Sequence, residues 1–168
     1  MSITAIVYTS NTGYTEQYAK MLSERIGLPL YNISEIKGSL PEGSEIIYLG
    51  WLMAGFITDY KIAQKLFNVK AVCGVCLGTN GSQIDTVRKN NNIPEEIPVF
   101  TIQGGFDMKK LRGMNKFMMK IVRKSIKKQI SQKDIQTEDD KRIVDMLDNG
   151  GSAVCEENLA PVIDFLKQ

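Results

Sequence analysis

A chain of 168 residues, 43% apolar and 24% charged, is long enough for one domain with a substantial core and too apolar to stay disordered. It contains no histidine, which removes imidazole from acid–base catalysis and from most zinc or haem ligation. The net charge of +2 conceals a division: residues 107–133 hold ten Lys or Arg and one Asp, and the rest of the chain eleven basic and eighteen acidic residues.

The opening MSITAIVYTS lacks a basic n-region and a cleavage site, so it reads as a first strand and not as a signal peptide. No apolar run approaches the roughly 18 residues of a membrane-spanning helix. Cys73, Cys76 and Cys155 form no disulfide-scaffold pattern, so a reduced, cytoplasmic protein is expected.

In chain order, Ile3 to Tyr8 is a predicted strand, and TEQYAKMLSERIG a helix with Tyr18, Ala19, Leu22 and Ile26 on one face. Leu28 to Asn32 is a short second strand. EIIYLGW is a third, its near-continuous apolar character implying burial on both faces. A helix is predicted around Asp59 to Phe67, then the strand VKAVCGVCL, a helix from Ser82 to about Asn90, and the strand IPVFTI. Alternation of strand and helix implies right-handed crossovers and a parallel sheet covered on both sides. No repeat or linker divides the chain, so residues 1–168 are expected to form a single domain.

After the fifth strand the rhythm breaks. About residues 104–151 precede a closing helix near Asn158 to Lys167 and carry two helical stretches. The first, about Met108 to Ile130, aligns Leu111, Met114, Phe117, Met118, Ile121, Val122 and Ile126, with lysines and Arg123 over much of the remainder. The second opens on a capping box, Thr137 with Asp140, and ends at Asn149-Gly150. The first is a basic amphipathic helix. Its alternatives are a position on anionic lipid, an acidic partner, bound carboxylates, or an apolar face packed on the domain with solvated lysines outside. Basic residues are not interleaved with aromatics, so a nucleic-acid surface is not expected.

The chemistry begins at VYTSNTGYT, residues 7–15. Thr9, Ser10, Asn11, Thr12 and Thr15 gather where the first strand gives way to the first helix, with no Lys or Arg among them. The amides of such a turn and the helix dipole attract an anion. A nucleotide P-loop needs GxxxxGK[ST], and no Lys follows Gly13; a dinucleotide fingerprint needs two further glycines. What remains is a loop able to surround a monophosphate with neutral donors. An ordinary helix cap would need one or two such residues.

Ser10-Asn11-Thr12-Gly13-Tyr14-Thr15 resembles the (T/S)-x-T-G-x-T phosphate loop of flavodoxins, and the strand–helix order over residues 1–102 agrees. The resemblance implies an α/β flavodoxin-like three-layer sandwich whose five-stranded parallel sheet has the order 2-1-3-4-5, and FMN as cofactor. Ser10, Asn11, Thr12, Gly13 and Thr15 would hold the FMN phosphate, and Tyr14 would lend its backbone amide. In the loop after the third strand, Trp51, Leu52, Met53, Ala54 and Gly55 would meet the flavin. Trp51 is placed for stacking or for the core, and Ala54-Gly55 for a peptide that turns toward the ring. Gly78, Thr79, Asn80 and Gly81 would meet the pyrimidine end. Residues 78–92 contain no aromatic and one carboxylate, Asp85, implying a more open and more easily reduced flavin than in flavodoxins. All three loops have the length a flavin requires, so a module that keeps this fold without redox chemistry is the least favoured reading.

The segment GGFDMKKLRGMNKFMMKIVRKSI resembles that of menaquinone-dependent protoporphyrinogen IX dehydrogenases, flavodoxin-fold enzymes with a long insertion after the fifth strand. The shared features are the glycine pair and Asn115-Lys116-Phe117-Met118-Met119-Lys120; Asn115-Lys116 stands where that family has Asp-Arg. The resemblance implies an oxidoreductase with a quinone acceptor, and Lys116, Lys120 and Arg123 as holders of substrate carboxylates or of a membrane surface. The other expectation is a single-domain FMN carrier working between redox partner proteins. No catalytic side chain and no metal are expected, because the flavin does the chemistry. Cys73 and Cys76, three apart on a strand, should point to opposite faces as core residues, not as a redox pair.

Overall fold

A computed structural model describes residues 3–111 and 113–168. Strand β1 (Ala5–Tyr8) leads into helix α1 (Tyr14–Ile26), and β2 (Leu30–Asn32) into β3 (Glu45–Met53). A two-residue β4 (Phe56–Ile57) precedes α2 (Tyr60–Leu66), β5 (Asn68–Cys76), α3 (Ile84–Asn91) and β6 (Val99–Gln103). The insertion comprises β7 (Gly105–Phe106), α4 (Gly113–Ser131), α5 (Glu138–Asn149) and β8 (Gly151–Ser152). A 3₁₀ turn at Glu156–Leu159 then enters α6 (Ala160–Leu166).

The protein is α/β, with parallel strands in the order β2-β1-β3-β5-β6. Pleating explains the layers. Ala5 and Val7 of β1 join Tyr48, Tyr60, Ala63 and Val87 on the α2–α3 side. Ile6 and Tyr8 join Tyr18, Leu22, Leu159 and Val162 on the α1–α6 side. Side chains such as Ile6, Ile46, Ile47 and Leu49 are wholly buried, each contributing on the order of 1.5–3 kcal/mol. Apolar residues on both faces of β1, β3 and β5 made these strands predictable.

Three details differ from expectation. The third strand does not end at Trp51 but continues to Met53, then folds back as antiparallel β4, pairing Leu52 with Ile57 and Met53 with Phe56. Gly50 permits the return: a Cβ there would lie 2.5 Å from Ile57 Cγ2. The insertion is closed at its base by a small antiparallel ladder, Gly105 with Ser152 and Phe106 with Gly151, too short to carry a period-two signal. Finally, α4 starts at Gly113; residues 108–110 form a turn before it.

The insertion has its own core of Phe106, Leu111, Met119, Met146 and Leu147, extended by Leu77, Val122 and Ile126. The predicted single apolar face of the first insertion helix is in fact divided. Val122 and Ile126 pack inward with Met119, while Met114, Phe117, Met118 and Ile121 stand exposed. Helix α5 is joined to α4 through Asp148, which accepts from Arg123 Nη2 at 2.5 Å and from Lys127 Nζ at 2.8 Å. These two cations, Lys127 foremost, hold the Asp148 carboxyl below its usual range. The predicted capping box of α5 is present, with Thr137 and Asp140 bonding each other's backbone amides.

Candidate functional site

Helix α1 opens without a side-chain cap. Its N-cap is Gly13, in the left-handed region at φ 90°, and no side chain bonds the first-turn amides. Among the described residues, the backbone N–H groups of Asn11, Thr12, Tyr14, Thr15 and Glu16 find no acceptor. Glu16, at the third helical position, pairs with Lys20 at 2.6 Å and does not reach back over the helix end. The loop is nonetheless held. Gly13 N donates to Ser10 Oγ at 3.1 Å, and Thr9 Oγ1 donates to Asp59 Oδ2 at 2.9 Å. Thr9 is therefore tied to the α2 end of the sheet, while Asn11, Thr12, Tyr14 and Thr15 line a cavity.

That cavity has a volume of about 70 Å³ and carries no charged side chain. Its walls include Trp51, Leu52, Cys76, Leu77 and, from the insertion, Phe106, Leu111 and Met119. The Nδ2 group of Asn11 is buried and has no hydrogen-bond partner, a condition that costs roughly 1–3 kcal/mol unless an acceptor meets it. Open helix-end amides, neutral hydroxyls and a buried amide donor fit a phosphate monoester. Lys110 Nζ lies 5.0 Å from the ring centroid of Tyr14, a residue that lines this chamber.

The chamber shares Leu52, Cys76, Leu77 and Met119 with a larger one of about 550 Å³. The two chambers thus adjoin at the carboxyl ends of β3 and β5, beneath α4, and together form the groove considered below. Its apolar floor suits a flat ring system. Ala54 (φ 52°) and Gly55 (φ 80°) make the two-residue turn between β3 and β4, the geometry that closes hairpins without splaying the strands. Leu52, Met53, Ala54, Gly55 and Gly78 all border the larger chamber. Asn91 fixes the turn, donating to the Gly55 carbonyl and accepting from Ile57 N, both at 2.9 Å.

The remainder of the third loop is committed elsewhere. Asn80 Nδ2 donates to Asn158 Oδ1 and its Oδ1 accepts from Gln103 N, both at 2.7 Å. Gly81 N donates to Thr101 O at 2.8 Å. Thr79, Asn80 and Gly81 are exposed and do not border the groove.

The predicted carboxylate holders also lie apart from it. Lys120 and Arg123, with Lys124 and Lys127, line a separate outward depression, and Lys116 borders neither chamber. The groove's cation is Lys133, bonded to Asp140 at 2.6 Å. That bond, aided by the Thr137 amide, draws the Asp140 carboxyl down to about 2. Sequence reasoning missed Lys133 because it lies beyond the predicted end of the helix. It also assigned Cys76 to the core alone. Cys76 is buried yet floors both chambers, its thiol pushed up by burial and its Sγ 3.5 Å from the Gly78 carbonyl. Cys73 sits on the opposite side, in the α1–α6 core.

Arg142 connects the insertion to the floor. It donates to the Leu77 carbonyl at 3.0 Å and is itself paired with Asp139. Gly105 allows the insertion's base to close over the loop: a Cβ there would lie 2.6 Å from Tyr14 Cε1. Among the described residues, no helix is long and apolar enough to cross a membrane, and no three metal-ligating side chains converge. No protein-family model, curated protein or solved structure matches this chain.

Proposed function

We propose that this chain is an FMN-binding, flavodoxin-like redox protein that passes electrons from a reduced organic substrate to a quinone. One observation carries the reading: a cradle of unpartnered donors with no charged side chain adjoins a larger, mostly apolar chamber at the carboxyl ends of β3 and β5. The amides of residues 14–16 and the side chains of Asn11, Thr12 and Thr15 bind the phosphate. Trp51, Leu52 and Leu77 offer apolar surface to the ring. When bound, FMN supplies the electron-accepting chemistry. The protein orients it and limits water through Met119 and Leu111 above the groove.

No acid–base residue is assigned. The Cys76 thiol stays protonated at neutral pH because burial disfavours its anion. A second reading, an electron carrier between proteins, is favoured by one fact. Lys116, Lys120 and Arg123 do not line the groove, so they are not placed to grip the carboxylates of a porphyrinogen lying within it.

Reconstitution with FMN tests the first step: bound flavin should show quenched fluorescence and stoichiometric uptake, and a chain that stays colourless rejects the assignment. Anaerobic titration of the loaded protein then separates the two readings. Reoxidation by a menaquinone analogue supports the enzyme, and reoxidation by a protein partner alone supports the carrier.

A further inference from the structure

Helix α4 has two apolar faces, and only one is covered. Met119, Val122, Ile126 and Ile130 turn toward the insertion core and the groove. Met114, Phe117, Met118 and Ile121 are 72%, 62%, 40% and 56% exposed. Their spacing of three, four and seven residues places them on one stripe across two turns. Isolated exposed apolar residues are ordinary, but four large ones in contact range on one helix mark an interaction surface.

The charge beside the stripe identifies what it meets. Lys116, Lys120, Lys124 and Lys128 recur every fourth residue and form a ridge along one border of the stripe. Among the described residues none of these four has a carboxylate within ion-pair distance, whereas Arg123 and Lys127 share one, Asp148. The helix contains no Asp or Glu. Of this basic surface only Arg123 and Lys127 meet a carboxylate, and the four lysines beside the stripe are left free.

We propose that α4 is a membrane-surface docking element that lies flat on an anionic leaflet. Phe117, Ile121, Met114 and Met118 enter the boundary between headgroups and acyl chains, and the lysine ridge rests on lipid phosphates. The helix is about 28 Å long and too polar to cross the bilayer, so it stays in the interface. Lipid answers both halves of the surface. A nucleic acid would match the lysines and leave three aliphatic side chains wet. A second copy about a two-fold axis would cover the stripe and bring two uncompensated lysine ridges together. The proposal holds whatever the groove binds.

The test is co-sedimentation of the full chain with phosphatidylglycerol–phosphatidylcholine vesicles and with phosphatidylcholine alone. The chain should bind the first, lose binding in high salt, and ignore the second. Phe117→Ser with Ile121→Ser, both at exposed positions, should leave the thermal midpoint unchanged and weaken binding roughly tenfold or more. Lys120→Gln and Lys124→Gln should each weaken it roughly fivefold. Absence of binding to anionic vesicles, equal binding to both compositions, or a serine pair that binds as wild type would overturn the proposal. So would a solution dimer that the serine pair dissolves, which would make the stripe a protein interface.

Discussion

Two helix starts in this molecule are built from similar residues and end in opposite states. Helix α5 begins after Thr137, in extended backbone (φ −81°, ψ 165°), with Asp140 at its third position. The Thr137 hydroxyl takes the Asp140 amide at 3.1 Å, and the Asp140 carboxylate takes the Thr137 amide at 3.0 Å. Helix α1 also has an acid at its third position, Glu16, and more hydroxyls in its approach, yet its first-turn amides remain open. The cause is Gly13. In the left-handed region and without a side chain, it presents no oxygen to the turn and directs the preceding loop away from it. A helix start that only needs stability requires one Thr and one Asp; the one with five polar residues leaves its donors for something else.

The largest contrast should come from one added charge. Thr12→Asp places a carboxylate at the mouth of the α1 cradle, where it favours the helix dipole but repels a phosphate. FMN affinity should fall by about a hundredfold, near 2.7 kcal/mol, while the thermal midpoint holds or rises. Fluorescence titration and a melt read the two effects separately. Unchanged affinity would mean that the cradle is not where the phosphate binds.

The converse change belongs to α5. Thr137→Ala removes the cap and should cost about 1 kcal/mol of stability, seen as a lower denaturant midpoint, with flavin affinity held within about twofold. Loss of affinity equal to that of Thr12→Asp would show that the insertion and the cradle are not separable. That outcome has a structural route, since α5 contributes Ile143 and Asp140 to the larger chamber.

The two starts were not equally readable from the sequence. The α5 box is a local pattern, a hydroxyl and an acid three apart, and it fixes its own geometry. The parallel strands were likewise visible, because burial on both faces leaves Ile46, Ile47 and Leu49 no polar alternation. The loop at residues 10–15 could be recognised by its donors, but not that Thr9 turns to Asp59, a partner fifty residues away. Nor could the sequence show that α4 divides its apolar residues between two faces. An amphipathic period identifies a stripe and does not say which neighbour covers it; that is set by Phe106, Leu111, Met146 and Leu147, the core that takes Met119, Val122 and Ile126. Asn80 illustrates the same limit, for its side chain answers to Asn158 and Gln103, far along the chain.

The finest distinction between the two helix starts is their response to acid. The Asp140 carboxyl is held at about 2, below its ordinary 3.8, by Lys133 and then by the Thr137 amide. A carboxyl whose folded value is depressed contributes fully above its unfolded value and loses that contribution as pH falls toward the folded one. The stability that Asp140 provides is therefore complete above about pH 4 and fades between 4 and 2. Asp148 and Glu157 are also held low, so the whole protein weakens on acidification. Comparison with Asp140→Asn isolates this group. Urea midpoints should separate wild type from the variant at pH 5 and converge as pH approaches 2. A separation that persists undiminished at pH 2 would mean that the side chain supports α5 through packing, and that the charged bond to Lys133 contributes nothing to closing this helix start.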